Sequence, residues 1–332
     1  MSIAHRGRPA APDLVARRVL LAAPALLSLP LRAQPAWPQR PVRLIVAYAA
    51  GGGTDIFARA LGEAMRPALV HPVIVENRAG GAGVIGSDVV SRAEPDGHTL
   101  LAVVSTHVMN KYYLSSMPYD PIRDFTPIAM LSRNTMVLSA GATQPFATLP
   151  AMIAHARQNP GAVGTGSTEA LSSFCGQELA RRARIDTPDI QYRSGGPLMN
   201  DVVAGHLPVG WTSTASAMPH MQTGRVRILA NAGATRTPFF PDVPTVQESG
   251  IADFDLSGWV AMFGPRGMDP VLAGRIYTAV AAAFTDATLR ARLTALGVEP
   301  DLRDPAGLTA ALVREDRLWA AASAAGTLQR AN

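Results

Sequence analysis

Seven residues, Ala49-Ala50-Gly51-Gly52-Gly53-Thr54-Asp55, have the types and order to hold a small anion. They lie between an apolar run, Val42–Tyr48, and an amphipathic run, Ile56–Met65. The first reads as a strand and the second as a helix. Three consecutive glycines cost backbone entropy, so a bare backbone must serve some purpose there. A helix N-terminus presents N–H groups without intrahelical partners and the positive end of the helix dipole. Glycines let an anion reach those groups. The loop therefore reads as half of a site for a small anion, a carboxylate above all. Taken alone, it fits a tight strand–helix turn without ligand equally well. The expected contacts are the backbone of Ala50, Gly51, Gly52 and Gly53 and the hydroxyl of Thr54. Asp55 belongs to the same loop, more as a helix cap that shapes it than as a partner for an anion.

One such loop is not enough. Micromolar binding needs about −8 kcal/mol. A charge-assisted hydrogen bond contributes roughly 1.5–3 kcal/mol, and a helix dipole about 0.3–1 kcal/mol. Further donors are needed, and hydroxyls and glycines supply candidates. Ser105 and Thr106 follow the apolar run Thr99–Val104. Ser167 and Thr168 close a second glycine-bearing stretch, and Tyr192 with Ser194-Gly195-Gly196 forms another wall. Each hydroxyl also fits a helix N-cap.

Other chemistries find less support. Gly81-Ala82-Gly83-Val84-Ile85-Gly86 fits the dinucleotide pattern between a strand and a helix. The next strand, however, ends Val103-Val104-Ser105, with no acid to hold a ribose. Tight helix–strand packing explains the same glycines. No glycine loop is followed by Gly-Lys-Ser/Thr, and Ser167 lacks the glycines that flank a nucleophile elbow. The seven histidines show no metal-ligand spacing. Cys175 is the single cysteine, so no intrachain disulfide forms, and a buried thiol is its default reading. No cofactor, metal or catalytic acid–base pair is expected.

The chain has 332 residues, of which 48% are hydrophobic and 17% charged, as in a globular protein of about two domains. The net charge of +5 misleads. Residues 1–33 hold Arg6, Arg8, Arg17, Arg18 and Arg32 against Asp13, so the remainder is close to neutral. Neither nucleic acid nor an anionic membrane is implied as a partner. Those first residues read as an export signal. Arg17-Arg18 is the basic segment, Val19 to Leu31 the apolar one, and Ala33-Gln34 the cleavage point. The arginine pair resembles a twin-arginine signal, and an ordinary secretory route or a retained anchor fits as well. A soluble periplasmic protein is expected.

The elements that must position these loops alternate. Strands Val42–Tyr48, Val73–Asn77 and Thr99–Val104 are separated by helices reaching to about Leu69 and spanning Val84–Ala93. Continuous apolar runs followed by helices argue an α/β, doubly wound parallel sheet covered on both faces. A strand near Thr135–Ala140 leads to a helix, Leu149–Gln158, stopped by Asn159-Pro160-Gly161. A second α/β unit follows, with helices Ser172–Ala183 and Leu198–Ala204 and strands Leu207–Trp211 and Val226–Ala230. The proline-rich loop Pro238–Pro244, a strand Leu256–Phe263 and helices Pro270–Thr285, Ala287–Leu296 and Ala306–Ala325 complete the chain. Strand-like crossings near 135 and 257 bracket the middle unit. The economical arrangement returns the last helices to the first domain. The expectation is a signal over 1–33, one domain of 34–135 plus 257–332, and a second of 136–256. Two hinge strands join them, and the glycine loops face a cleft between them.

An ordered set of short motifs carries a family resemblance over essentially the whole mature chain. It comprises Trp37-Pro38-Gln39-Arg40-Pro41-Val42, the loop Ala49–Asp55, Val75-Glu76-Asn77-Arg78-Ala79-Gly80 and Pro95-Asp96-Gly97-His98-Thr99-Leu100-Leu101. Pro118-Tyr119-Asp120-Pro121, Asp124-Phe125, Tyr192 with Gly195, Met218-Pro219-His220 with Gly224, and Pro241-Asp242-Val243-Pro244-Thr245-Val246 continue it. The set resembles the tripartite tricarboxylate transporter receptor family, the Bug-type periplasmic solute receptors. That resemblance implies a two-lobed type II periplasmic-binding-protein fold, the Venus flytrap. It also implies capture of a small carboxylic acid or related solute. The expectation is a monomer that is not an enzyme and that hands its solute to membrane transporter subunits. A periplasmic sensor for a membrane signalling protein, or an exported enzyme on the same scaffold, is the alternative.

The second half departs from the family pattern. Phe174 stands where a histidine is usual, Thr212 where an aspartate is frequent, and the stretch Thr165–Phe174 is one residue shorter. Glu169 adds a carboxylate near the expected cleft. It repels an acid or pairs with an ammonium or amide group of the ligand.

Overall fold

β10 (Gly258–Pro265) is buried along its whole length because it has a neighbour on each side. Its partners, β3 (Thr99–Val104) and β4 (Phe125–Asn134), both run antiparallel to it. The computed structural model describes residues 37–192 and 194–328, with Met1, Ala4 and Gly7 before them. The export signal expected within residues 1–33 thus lies outside the described residues apart from those three. The described residues from Trp37 to Leu328 form one compact unit.

A six-stranded sheet has the order β11-β4-β10-β3-β1-β2, where β1 is Val42–Val46, β2 is Val73–Asn77 and β11 is Glu299–Arg303. A five-stranded sheet has the order β7-β6-β8-β5-β9. Its strands are β5 (Met136–Gly141), β6 (Thr165–Ser167), β7 (Asp189–Gln191), β8 (Val209–Ser213) and β9 (Val226–Asn231). The fold is thus a two-sheet α/β architecture.

The expectation of parallel sheets needs correction, since both sheets are mixed. β2, β1 and β3 are parallel, as are β7, β6 and β8. β10 and β11 run antiparallel to β4, and β5 runs antiparallel to β8 and β9. Continuous apolar runs report burial on both faces, and burial does not depend on the direction of the neighbouring strand.

The strand expected near 135 is two strands that meet at Thr135. Asn134 pairs with Gly258 in the first sheet, while Met136 pairs with Ser213 in the second. The chain crosses between sheets at that residue. β4 and β11 escaped the sequence reading because each mixes proline and charge into its run, Pro127 with Arg133 and Pro300 with Asp301.

Ten helices cover the sheets among the described residues. They are α1 (Gly53–Met65), α2 (Val84–Ser91), α3 (Thr106–Tyr113), α4 (Leu149–Gln158), α5 (Ala170–Ala183), α6 (Gly195–Ala204), α7 (Thr214–Gln222), α8 (Pro270–Ala283), α9 (Ala287–Ala295) and α10 (Pro305–Ala324). No helix among the described residues is long and apolar enough to cross a membrane. Apolar side chains of both sheets join one core, from Ile45 and Val103 to Leu138 and Trp211. Phe174 on α5 and Trp319 on α10 are part of it, edge to face with ring centroids 5.0 Å apart. The residue that replaces a histidine therefore packs as core.

Candidate ligand-binding site

α1 begins without a side-chain cap. Its N-cap is Gly52, at φ −75° and ψ 163°. Gly51, at φ 79°, needs the left-handed region that glycine enters without strain. The Asp55 carboxylate then ties the turn. It accepts from the Gly51 amide at 2.8 Å, from Asn77 Nδ2 at 2.9 Å and from Arg59 Nε at 3.2 Å. Asn77 Nδ2 also donates to the Tyr48 carbonyl, which joins the end of β2 to the end of β1. Burial opposes ionisation of Asp55, but Arg59, the Gly51 amide and Asn77 outweigh it and lower the pKa. Asp55 is 3% exposed, so it shapes the loop.

These bonds change which amides remain open. The Gly51 amide is spent on Asp55, and the Gly52 amide donates to the Ala49 carbonyl at 3.3 Å. The amides of Gly53, Thr54 and Asp55 belong to the first helical turn and have no intrahelical acceptor. Ala50, Gly51, Gly52 and Gly53 are all exposed, and open space surrounds Gly51 and Gly53.

Ser105 and Thr106 follow β3, which lies parallel and adjacent to β1. Parallel neighbours bring their C-terminal ends to one sheet edge. The Ser105 hydroxyl bonds to no other described residue, while its amide donates to the Trp259 carbonyl at 3.0 Å. Tyr48, absent from the sequence expectation, stands between the two loops. Its Oη accepts from the Val104 amide at 3.3 Å and lies beside the Thr106 hydroxyl. Burial, opposed by those two donors, pushes the phenol up to about 12. Its place at the end of β1, next to the glycines, was the signal that could have found it.

The second sheet repeats the arrangement. β6 and β8 are parallel neighbours, so Ser167-Thr168 and Thr212-Ser213 end at one edge. Here several expected donors have other partners. The Ser167 hydroxyl is fully buried and donates to Asp189 Oδ1 at 2.6 Å, fastening β6 to β7. The Tyr192 hydroxyl donates to Asp201 Oδ2 at 2.7 Å, anchoring that loop to α6. Both need an internal acceptor that sequence spacing did not reveal. Thr168 is half-buried with its amide on Ser172 Oγ at 2.9 Å, and its hydroxyl bonds to no other described residue. Gly195 opens α6. A Cβ there would stand 2.5 Å from Ser216 Oγ and 3.1 Å from Thr212 Oγ1. Gly196 has open space around it. Thr212 and Ser216 are thus hydroxyls under the α6 N-terminus that the sequence reading did not place.

Two relationships bring the edges together. A Cβ on Gly258 would stand 3.0 Å from Ser105 Oγ, after β3 of the first sheet, and 3.1 Å from Leu171 Cδ2, on α5, which follows β6 of the second. The Glu169 charge, at the start of α5, is felt by Tyr48 at the end of β1. Ser105, after β3, and Leu171, in the first turn of α5 two residues from Glu169, therefore both lie beside Gly258.

Nothing in these contacts assembles a catalytic set. Ser87 Oγ and His107 Nδ1 lie 3.3 Å apart, but both residues are buried, and His107 Nε2 meets the Pro121 carbonyl at 3.0 Å. Burial pushes the imidazole down to about 4. Cys175 is buried and its thiol pKa is raised by that burial. Gly86 of the dinucleotide-like motif lets α2 sit on β1, since a Cβ there would stand 2.7 Å from Ala47 Cα. Among the described residues no group of three or more histidine, cysteine or acidic side chains is placed to hold a metal.

Residues 57–317 match the model of a family described as the tripartite tricarboxylate transporter family receptor. A UPF0065 protein of Pseudomonas sp. (strain P51), from the tcbD–tcbE intergenic region, is 31% identical over 93% of this chain and 94% of its own length. The periplasmic binding protein BugD is similar in structure, with a TM-score of 0.74 and 28% identity over 89% of this chain and 100% of that one. MatC of Rhodopseudomonas palustris, solved with bound malate, has a TM-score of 0.72 and 28% identity over 86% of this chain and 99% of that one.

Proposed function

Because this chain belongs to the tripartite tricarboxylate transporter receptor family, we propose that it captures a small organic carboxylate between its two sheets outside the cytoplasm. It then hands that solute to the membrane subunits of a transporter. The observation that carries this reading is the exposed first turn of α1. The amides of Gly53, Thr54 and Asp55 have no intrahelical acceptor, and Gly53 is exposed beside a turn that Asp55 already holds in shape. Binding therefore requires little reorganisation of that loop. The ligand's carboxylate meets those amides and the Thr54 hydroxyl, with Ser105 and Thr106 beside them. Thr168 and the Gly195-Gly196 amides approach from the second sheet. Ser167 and Tyr192 act as framework.

On this reading the segments 34–135 plus 257–332 and 136–256 move as two lobes about the crossings at Thr135 and near Ser257. The bound solute shifts the population toward the closed form. The malate held by MatC is in keeping with a carboxylate ligand. Calorimetry and thermal shift with mono-, di- and tricarboxylates test the proposal. Saturable binding without turnover supports it, and conversion of any of the acids, or failure to bind any, overturns it.

A further inference from the structure

We propose that Glu169 selects the far end of the ligand: the solute carries one carboxylate for the α1 amides and an ammonium or amide N–H for the Glu169 side chain. The inference rests on the reading of the cleft as the ligand site and names the solute class that fits it. Glu169 follows β6 and caps α5, at the C-terminal edge of the second sheet. It keeps an exposed surface, yet protein crowds its carboxyl enough for desolvation to raise the pKa. Leu171, two residues further along, lies beside Gly258 together with Ser105 after β3, so the start of α5 stands at that edge of the first sheet. The Glu169 charge helps raise the pKa of Tyr48, after β1, and of Cys175, on α5 itself.

No described cation lies within ion-pair distance of Glu169. Glu178, two turns further along α5, is by contrast clasped by Arg181 and Arg182 at 2.8 and 2.6 Å. The cleft thus offers opposite chemistry at its two sides. At α1 there are open N–H donors and a dipole that favours negative charge. At Glu169 there is an acceptor with no counter-charge among the described residues. A second ligand carboxylate there would meet like charge in a partly desolvated site, which is unfavourable. An ammonium or amide N–H would instead form a charge-assisted hydrogen bond.

The test compares acids of equal length on the purified protein by calorimetry. Succinate, glutarate and adipate are set against the corresponding ω-amino acids and ω-amides. The wild type is expected to bind one of the amino or amide series at least about tenfold more tightly than its dicarboxylate partner. Glu169→Gln, which preserves size, is expected to shrink that ratio by a similar factor with an unchanged circular dichroism spectrum. A wild type that prefers the dicarboxylates, or a ratio that Glu169→Gln leaves unchanged, overturns the inference. Gly52→Val separates the two levels. If binding survives that substitution, the acid does not sit at α1 and the underlying reading fails, together with what is built on it. If binding is lost there but the Glu169→Gln ratio is unchanged, only the Glu169 inference fails.

Discussion

The Asp55 carboxylate holds the Gly51 amide at 2.8 Å, although Asp55 itself lies inside the first turn of α1. An acidic side chain thereby occupies the amide that the glycine run would first offer to an anion. The open donors shift toward Gly53 and Thr54. Asp55→Ala is expected to weaken binding more than tenfold and to destabilise the fold by about 1–3 kcal/mol, since the Gly51, Asn77 and Arg59 donors lose a shared acceptor. Asp55→Asn should be milder. Calorimetry and denaturant titration on both variants check this.

Gly52→Val is expected to abolish binding with little loss of stability. Gly52 has ordinary φ and ψ, and a Cβ there meets only the Ala49 carbonyl, at 3.3 Å. A bulky side chain at the N-cap would instead obstruct the approach to the amides. A large drop in melting temperature would refute this separation of binding from folding.

Ser167→Ala and Ser105→Ala should behave differently. Ser167 donates to Asp189, which Ser173 and Gln191 also share, so its loss should lower stability by about 1 kcal/mol and binding only indirectly. Ser105 has no such partner among the described residues, so Ser105→Ala should weaken binding and leave the melting temperature within about one degree. Equal melting shifts for the two would remove the distinction.

Gly258→Val is expected to hinder approach of the two sheet edges, because its side chain would press on Ser105 Oγ and Leu171 Cδ2. Small-angle scattering should show a smaller ligand-induced contraction than in the wild type. An undiminished contraction would show that the edges do not approach at this residue.

Stability should also depend on pH through Glu315 of α10, which is buried and accepts from Trp259 Nε1. Desolvation pushes its carboxyl from 4.5 up to about 8 against the opposing pull of that donor. Between these values the folded chain keeps a proton that the unfolded chain has lost. The contribution is complete below pH 4.5 and is lost as pH rises through about 8. His107 works in the other direction. Burial lowers it from 6.5 to about 4, so its contribution is present above 6.5 and lost as pH falls through about 4. Glu315→Gln should flatten the decline of melting temperature between neutral pH and pH 8, and His107→Asn the decline under acid. Unchanged profiles would show that neither group controls them.

Much of this was legible in the chain itself. The apolar runs of β1 and β3, the glycines before α1 and the Leu149–Gln158 helix follow from local periodicity and turn chemistry, which neighbouring residues determine. So does the membership of Ser105 and Thr168 in loops after strands. Periodicity also identified a second α/β unit, but it was blind to strands such as β11, whose polar residues are stabilised only by pairing with β4.

Only the tertiary structure decided strand direction and the allocation of hydrogen-bond donors. Asp189 captures Ser167 across 22 residues, Asp201 captures the Tyr192 hydroxyl, and Trp319 covers Phe174 from a helix 145 residues away. A hydroxyl binds whichever acceptor folding brings within about 3 Å. Residue type and spacing mark a possible donor. The long-range packing around it decides whether that donor faces a ligand or the protein itself.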